Sequence, residues 1–250
     1  MSKKFYEADI KKAVLKERHL FYDDGITSDI DDIRIYNEKA IAQGKCIMDC
    51  FVLDKNGHTL GMEIKTERDS TQRLNKQMFY YSQVCSYVYV LCHDKHLPKV
   101  EKILKDHKHN HVGILSYIEF KGEVMIGKYK QATYSPHRNP YHCLNILWKN
   151  VLLILMRYVR DPITFRTGYN INAQGHSSGE GHANNLAFSR KRNTKPQIIN
   201  GLLSYLGWNN AYKLFTRTVI YGYNDRWKIV EDNFFKALNT EMGDILDKEK

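Results

Sequence analysis

Apolar and polar residues combine in short runs over 46–53, 59–65, 86–92, 112–117 and 124–129, which predicts strands. Before and between them, apolar positions recur every three to four residues over 7–19, 71–84 and 99–107, the spacing of amphipathic helices. That rhythm is the signature of an α/β unit. After Tyr134-Ser135-Pro136 the pattern becomes helical, first over 141–158, then over 197–205, 209–218 and 225–246. The helix around Trp148 and Leu152 fits a core position or a homodimer interface. The chain therefore divides into an α/β part, 1–135, and a helical region, 136–250.

Between these helices, residues 167–185 hold Gly168, Gly175, Gly179 and Gly181 among Asn, Ser and His, and the basic cluster Arg190, Lys191 and Arg192 follows. Loops this long and this poor in apolar residues are functional or disordered more often than not. The stretch around 167–195 reads either as a flexible basic loop that grips phosphates or as a solvated linker.

Composition narrows the partners. Thirty-eight Lys and Arg against 28 Asp and Glu leave a formal charge of +10. Such an excess favours polyanions, because neutralising phosphates releases their counterions, so nucleic acid is the expected partner; ordinary solubilising charge is the alternative. With 42% hydrophobic residues the chain can bury a core without disulfide or metal staples. The longest apolar run, 151–156, falls far short of the roughly 20 residues of a membrane span, and residues 1–7 carry no secretory apolar stretch. A cytoplasmic protein without membrane contact is expected. Five cysteines, an odd number without a C-x-x-C pair, read as reduced and buried.

The most informative stretch runs from Lys45 to Lys65, where two strand-like runs meet at Asn56-Gly57, a strong hairpin signal. A two-residue loop would set Asp49 against Ile64, on the sheet face opposite Glu63. A three-residue loop, Lys55-Asn56-Gly57, with Gly57 in the left-handed conformation, instead pairs Val52 with Leu60, Cys50 with Met62 and Met48 with Ile64 on one apolar face. The other face then carries Asp49 opposite Glu63, with Lys65 beside them. Burial of the apolar face selects this second register.

Two carboxylates held so close repel each other unless a cation lies between them. Mg²⁺ suits such oxygen ligands, and Mn²⁺ may substitute; the ion makes a nucleophile of bound water, and Lys65 can orient that water or offset charge on the phosphate. An acid-x-Lys triplet alone is weak evidence, since Asp9-Ile10-Lys11, Asp106-His107-Lys108 and Glu119-Phe120-Lys121 share it. None of those has an acid on a preceding hairpin strand. A cross-strand charged cluster on a solvated face is the competing structural reading.

Asp49, Glu63 and Lys65 resemble the hairpin of the PD-(D/E)XK nuclease superfamily, although Met48 stands where that motif has proline. Gln77 and Tyr81 resemble the Q-x-x-x-Y element of RecB-type nucleases. The resemblance implies a restriction-endonuclease-like core, a mixed central sheet flanked by helices, and a Mg²⁺-dependent phosphodiesterase acting on DNA. It implies Asp49, Glu63, the Ile64 carbonyl and an upstream acid as metal ligands. Glu38 fills that upstream place, with Glu7 as competitor. Lys65 would serve the nucleophilic water.

Asp69 followed by Gln72 reads as an N-cap with its capping-box partner, starting a helix at Thr71. Arg73, Gln77 and Tyr81 then share one helix side, where they could hydrogen-bond a phosphate or a metal-bound water. Tyr81 reads equally well as a packing residue. A noncatalytic nucleic-acid-binding or partner-binding protein, and an RNA nuclease, are the rival functions. His107, His109 and His111 invite zinc by their spacing, yet no cysteine stands at ligand distance in sequence, and they read as helix-end residues.

Overall fold

Short links between some strands and long links between others dictate a mixed sheet, since antiparallel neighbours need only a turn and parallel ones need a crossover. The computed structural model of the protein describes residues 5–17, 19, 25, 33–160 and 193–222. Its six strands, β1 (Ile33–Ile41), β2 (Cys46–Asp54), β3 (Thr59–Lys65), β4 (Tyr87–His93), β5 (Gly113–Phe120) and β6 (Glu123–Lys130), lie side by side in chain order. The pairs β1–β2, β2–β3 and β5–β6 are antiparallel. The β3–β4 and β4–β5 pairs are parallel, and their crossovers contain α2 (Leu74–Val84) and α3 (Leu97–Asp106). Central position explains why Val88–Cys92 is apolar without alternation, whereas edge strand β6 alternates half-buried and exposed residues.

Helix α1 (Glu7–Lys16) covers one face, with Ile10 and Val14 packed in a cluster with Cys50, Val52, Leu60, Met62, Leu91 and Leu115. The other face carries α2, where Leu74, Met78 and Tyr81 meet Phe51, Leu53, Val88 and Val90. This second cluster runs on into α4 (Pro140–Leu144), α5 (Lys149–Arg160) and α6 (Lys195–Tyr221) through Leu144, Leu152, Ile198, Leu202 and Phe215. The fold is α/β: a mixed sheet flanked by helices, with a helical C-terminal region.

Buried Arg138 fastens that region to the hairpin. Its Nη2 donates to the Gly57 carbonyl at 2.6 Å, its Nε to the Val84 carbonyl at 3.3 Å, and its guanidinium lies 3.7 Å from the Tyr212 ring centroid. Arg217 Nε donates to the Lys55 carbonyl at 3.1 Å. Gly57 has φ +98, and a Cβ there would stand 3.1 Å from the Lys213 backbone nitrogen. Glycine is thus required twice, by the left-handed turn and by the approach of α6.

Several elements depart from the sequence pattern. Strand β1 is not predicted, because Asn37, Glu38 and Lys39 interrupt its alternation on an exposed edge. Helix α2 starts at Leu74 with Arg73 as N-cap, not at Thr71. Asp69 is engaged elsewhere, accepting from Thr66 N and Oγ1 at 2.7 Å each, so the Asp69–Gln72 capping box does not form. The single helix over 141–158 is two, α4 and α5, leaving Trp148 exposed between them. Helix α6 bends at Gly207, φ 66, between the two predicted segments. The helix over 225–246 and the loop around 167–195 lie outside the described residues. All five cysteines are free and buried, as their apolar settings predict.

Candidate active site

The hairpin has the register that burial of its apolar face selects. Cys50 partners Met62 and Val52 partners Leu60, and the turn closes by Asp54 N donating to the His58 carbonyl at 3.1 Å. Asp54, fully buried, holds the turn from within: Oδ1 accepts from the amides of Asn56 and His58 at 2.9 Å each.

One expectation fails in an instructive way. Met48 does not share the face of Cys50 and Val52; it packs in the opposite cluster with Phe51 and Leu53, its sulfur 3.9 Å from that of Cys85. The β2–β3 ladder ends at Cys50–Met62, and Glu38, across from Asp49 on β1, has φ +58 and drops out of the β1–β2 ladder. The alternation of β2 therefore shifts phase at Asp49. Instead of lying flat opposite Glu63, Asp49 reaches across the opening between strands, where its Oδ2 accepts from Ile64 N at 2.8 Å.

Glu63 is buried and saturated with donors. Lys65 Nζ and Gln77 Nε2 donate to its Oε1, and the Tyr81 hydroxyl donates to Oε2 while lying 3.1 Å from the Ile47 carbonyl. The phenol has one proton, and the anionic carboxylate is the stronger acceptor. Burial, and then the charge of Glu63, push the Tyr81 phenol far up, so it stays a donor. Gln77 and Tyr81 thus position Glu63 rather than face outward. Lys65, expected beside a water, is ion-paired with Glu63 inside the protein. The same burial, with the charges of Glu63 and Asp49, raises the Cys46 thiol to about 11 and makes it inert.

Asp49 is half-buried, and its carboxyl is pushed up to about 7, first by burial and then by the charge of Glu63; Glu7 adds to this, while the Ile64 amide and Lys65 oppose it. Of the two upstream acids, Glu7 contributes to this rise. Glu38 is exposed and faces Lys11, whose Nζ lies 3.2 Å from it and 2.7 Å from Glu7. Arg73 and Lys76 are exposed on the first turn of α2, on the side of Cys46. Arg190, Lys191 and Arg192 lie outside the described residues.

The donor chemistry fits a hard divalent cation. Asp49 keeps one oxygen without a donor among the described residues, Gln77 Oε1 is buried without a hydrogen-bond partner, and all candidate ligands are oxygens. A cation on Glu63 Oε1 would take the place of one of the two donors held there, Lys65 or Gln77. Among the described residues no three His, Cys, Asp or Glu side chains gather into a ready-made metal cluster. The histidines expected not to form a zinc site brace α2: His109 Nε2 lies 2.8 Å from Asn75 Oδ1 and His111 Nε2 2.7 Å from Ser82 Oγ. No described helix is long and apolar enough to cross a membrane.

The chain is 16% identical to the SPO1766 protein of unknown function from Silicibacter pomeroyi, with 56% of this chain and 85% of that one covered and a TM-score of 0.33. It is 14% identical to Pyrococcus furiosus SfsA, solved in complex with Ca²⁺, over 51% of this chain and 63% of that one, again with a TM-score of 0.33. Among curated proteins none matches it. Residues 1–206 match the family described as Bacteriophage P4 protein cII, a span that takes in the whole Asp49–Glu63 site, and the chain belongs to that family.

Proposed function

We propose that the protein is a metal-dependent nuclease of the PD-(D/E)XK kind that hydrolyses DNA phosphodiester bonds. The observation that carries this reading is the opening between β2 and β3, where Asp49 and Glu63 meet with Lys65 on a buried wall. Asp49 and Glu63, with the Ile64 carbonyl and either Glu7 or Glu38, would hold Mg²⁺ or Mn²⁺. A bound ion supplies Lewis acidity and lowers the pKa of its water. Gln77 and Tyr81 fix the Glu63 carboxylate, and Asp49 sheds its proton when a cation takes the place of that proton. Lys65, once displaced from Glu63, keeps its charge close to the scissile phosphate. Arg73 and the overall charge of +10 favour the backbone of the substrate.

A second reading rests on the saturation of Glu63: a carboxylate neutralised by Lys65 and two further donors suits a protein that binds nucleic acid, or a partner protein, without cutting. The deciding experiment incubates the protein with Mg²⁺ or Mn²⁺ on single-stranded, duplex and branched DNA and on RNA, beside Asp49→Ala and Lys65→Ala. Cleavage of DNA lost in both folded variants supports the nuclease. Binding without cleavage under either metal sinks it in favour of the second reading, and cleavage confined to RNA moves the substrate class.

A further inference from the structure

Two exposed side chains from different elements, each a few residues from a group of the acidic site, meet each other. Tyr6 directly precedes Glu7, the α1 residue whose charge acts on Asp49, and its ring is 61% exposed. Arg68 lies three residues beyond Lys65, exposed, with its guanidinium 5.7 Å from the Tyr6 ring centroid. The backbone under each is fixed. Tyr6 N donates to Asp9 Oδ2 at 3.1 Å, Asp69 holds Thr66, and the Thr66 carbonyl lies 3.1 Å from His96 Nε2. Burial in the core does not account for either side chain.

We propose that Tyr6 and Arg68 form a binding position for one unpaired nucleotide next to the scissile phosphate, which makes single-stranded DNA, or a frayed end, the substrate class. The inference rests on the nuclease reading for the identity of the neighbouring phosphate. An exposed phenol ring offers a face on which a base can stack, and every base has a π-face. Arg68, already beside that ring, supplies the planar cation that takes a phosphate bidentately or extends the stack. In a continuous duplex both faces of a base are covered by its neighbours, so a single ring at the rim of the site selects an unpaired nucleotide. The match of ring to base and of guanidinium to phosphate is the complementarity that singles out this occupant.

The test is fluorescence anisotropy with the full-length protein, a labelled twelve-nucleotide oligothymidylate and a blunt duplex of equal length, in EDTA so that no strand is cut. Tyr6→Ala should weaken binding of the single strand about tenfold, within the range of one lost base stack, and change duplex binding less than about twofold. Tyr6→Phe, which keeps the ring, should bind like wild type. Arg68→Ala should weaken the single-strand complex and reduce its salt slope by about one. Wild-type affinity in Tyr6→Ala, or equal losses on both DNAs, overturns the proposal. Because this readout involves no cleavage, its failure is separable from failure of the nuclease reading, which shows as absent hydrolysis by the wild-type protein with metal.

Discussion

The backbone amide of Ile64 donates to the carboxylate of Asp49 at 2.8 Å, across the place where β2 and β3 no longer pair. A side chain thereby takes over from the ladder: one hydrogen bond that a flat hairpin would make between backbones is made by the carboxylate instead. The price is a half-buried acid near Glu63.

This geometry sets the first prediction. The Asp49 carboxyl is raised to about 7, above its unfolded value near 3.9, so between those values the folded state holds a proton that the unfolded state has lost. Stability therefore falls as pH rises through that window. Asp49→Asn keeps an acceptor for Ile64 and removes the charge. It should raise the melting temperature of the metal-free protein at pH 8 by several degrees, on the order of 1–3 kcal/mol, and leave it almost unchanged near pH 4. Mn²⁺ at pH 8 should stabilise wild type and not the variant. Equal melting curves at pH 8 without metal would remove the basis for a strained acid.

How far could this have been read from the chain alone? The Gly57-closed turn and its apolar pairs select the register, which places Asp49 near Glu63, and the helix that follows brings Gln77 and Tyr81 to the same spot. The phase shift at Met48 was not legible, because alternation presumes an unbroken ladder and the sequence does not mark where β2 leaves β3. Burial of Lys65 was likewise hidden: its partner Glu63 is also held by Gln77 on α2, and tertiary pairing decides which end of a lysine faces water. Arg138 could not be foreseen either, since a lone arginine after Pro136 gives no hint that it spans the hairpin, α2 and α6.

Tyr81 offers a test of positioning. Its hydroxyl donates to the buried Glu63 carboxylate and lies 3.1 Å from the Ile47 carbonyl. Tyr81→Phe leaves the ring in its apolar cluster and strips only the donor. The expected cost is about 1–3 kcal/mol, a fall of roughly 2–10 °C in melting temperature for a chain this long. If the protein cuts DNA, kcat should fall with KM little changed, because Glu63 loses orientation and the substrate loses no contact. An unchanged kcat in a folded variant would return Tyr81 to a purely packing role.

Arg138 should behave as a fastener of the C-terminal helices. Removing it leaves the Gly57 and Val84 carbonyls without this donor and exposes one face of Tyr212. Arg138→Met should destabilise by about 2–5 kcal/mol, the cost of two hydrogen bonds to a charged donor. Arg138→Lys should recover little, because an ammonium cannot span two carbonyls while lying flat on a ring. Thermal unfolding of both variants, followed by near-ultraviolet circular dichroism at Tyr and Trp, checks this; full recovery by lysine would mean that charge alone suffices.

The buried histidines set a limit at acid pH. Burial first, then the neighbouring His137, His109 and Lys130, push His111 down to about 4, and His109 is also lowered. Its Nε2 faces Ser82 on α2, and its ring stands 5.5 Å from that of His137 and 6.2 Å from that of His109. Here the folded value lies below the unfolded one of about 6.5, so the unfolded state takes up protons first as pH falls. The stability that neutral His111 confers is complete above about pH 6.5 and is lost progressively toward pH 4, on the order of 1–2 kcal/mol. Carboxylates also titrate in this range, so the informative quantity is the difference from His111→Gln, which keeps a polar partner for Ser82 and cannot be protonated. The wild-type melting temperature should drop about 3–6 °C more than that of the variant between pH 7 and pH 5. Parallel curves over that interval would show that the cluster opens and admits its protons without cost to the fold.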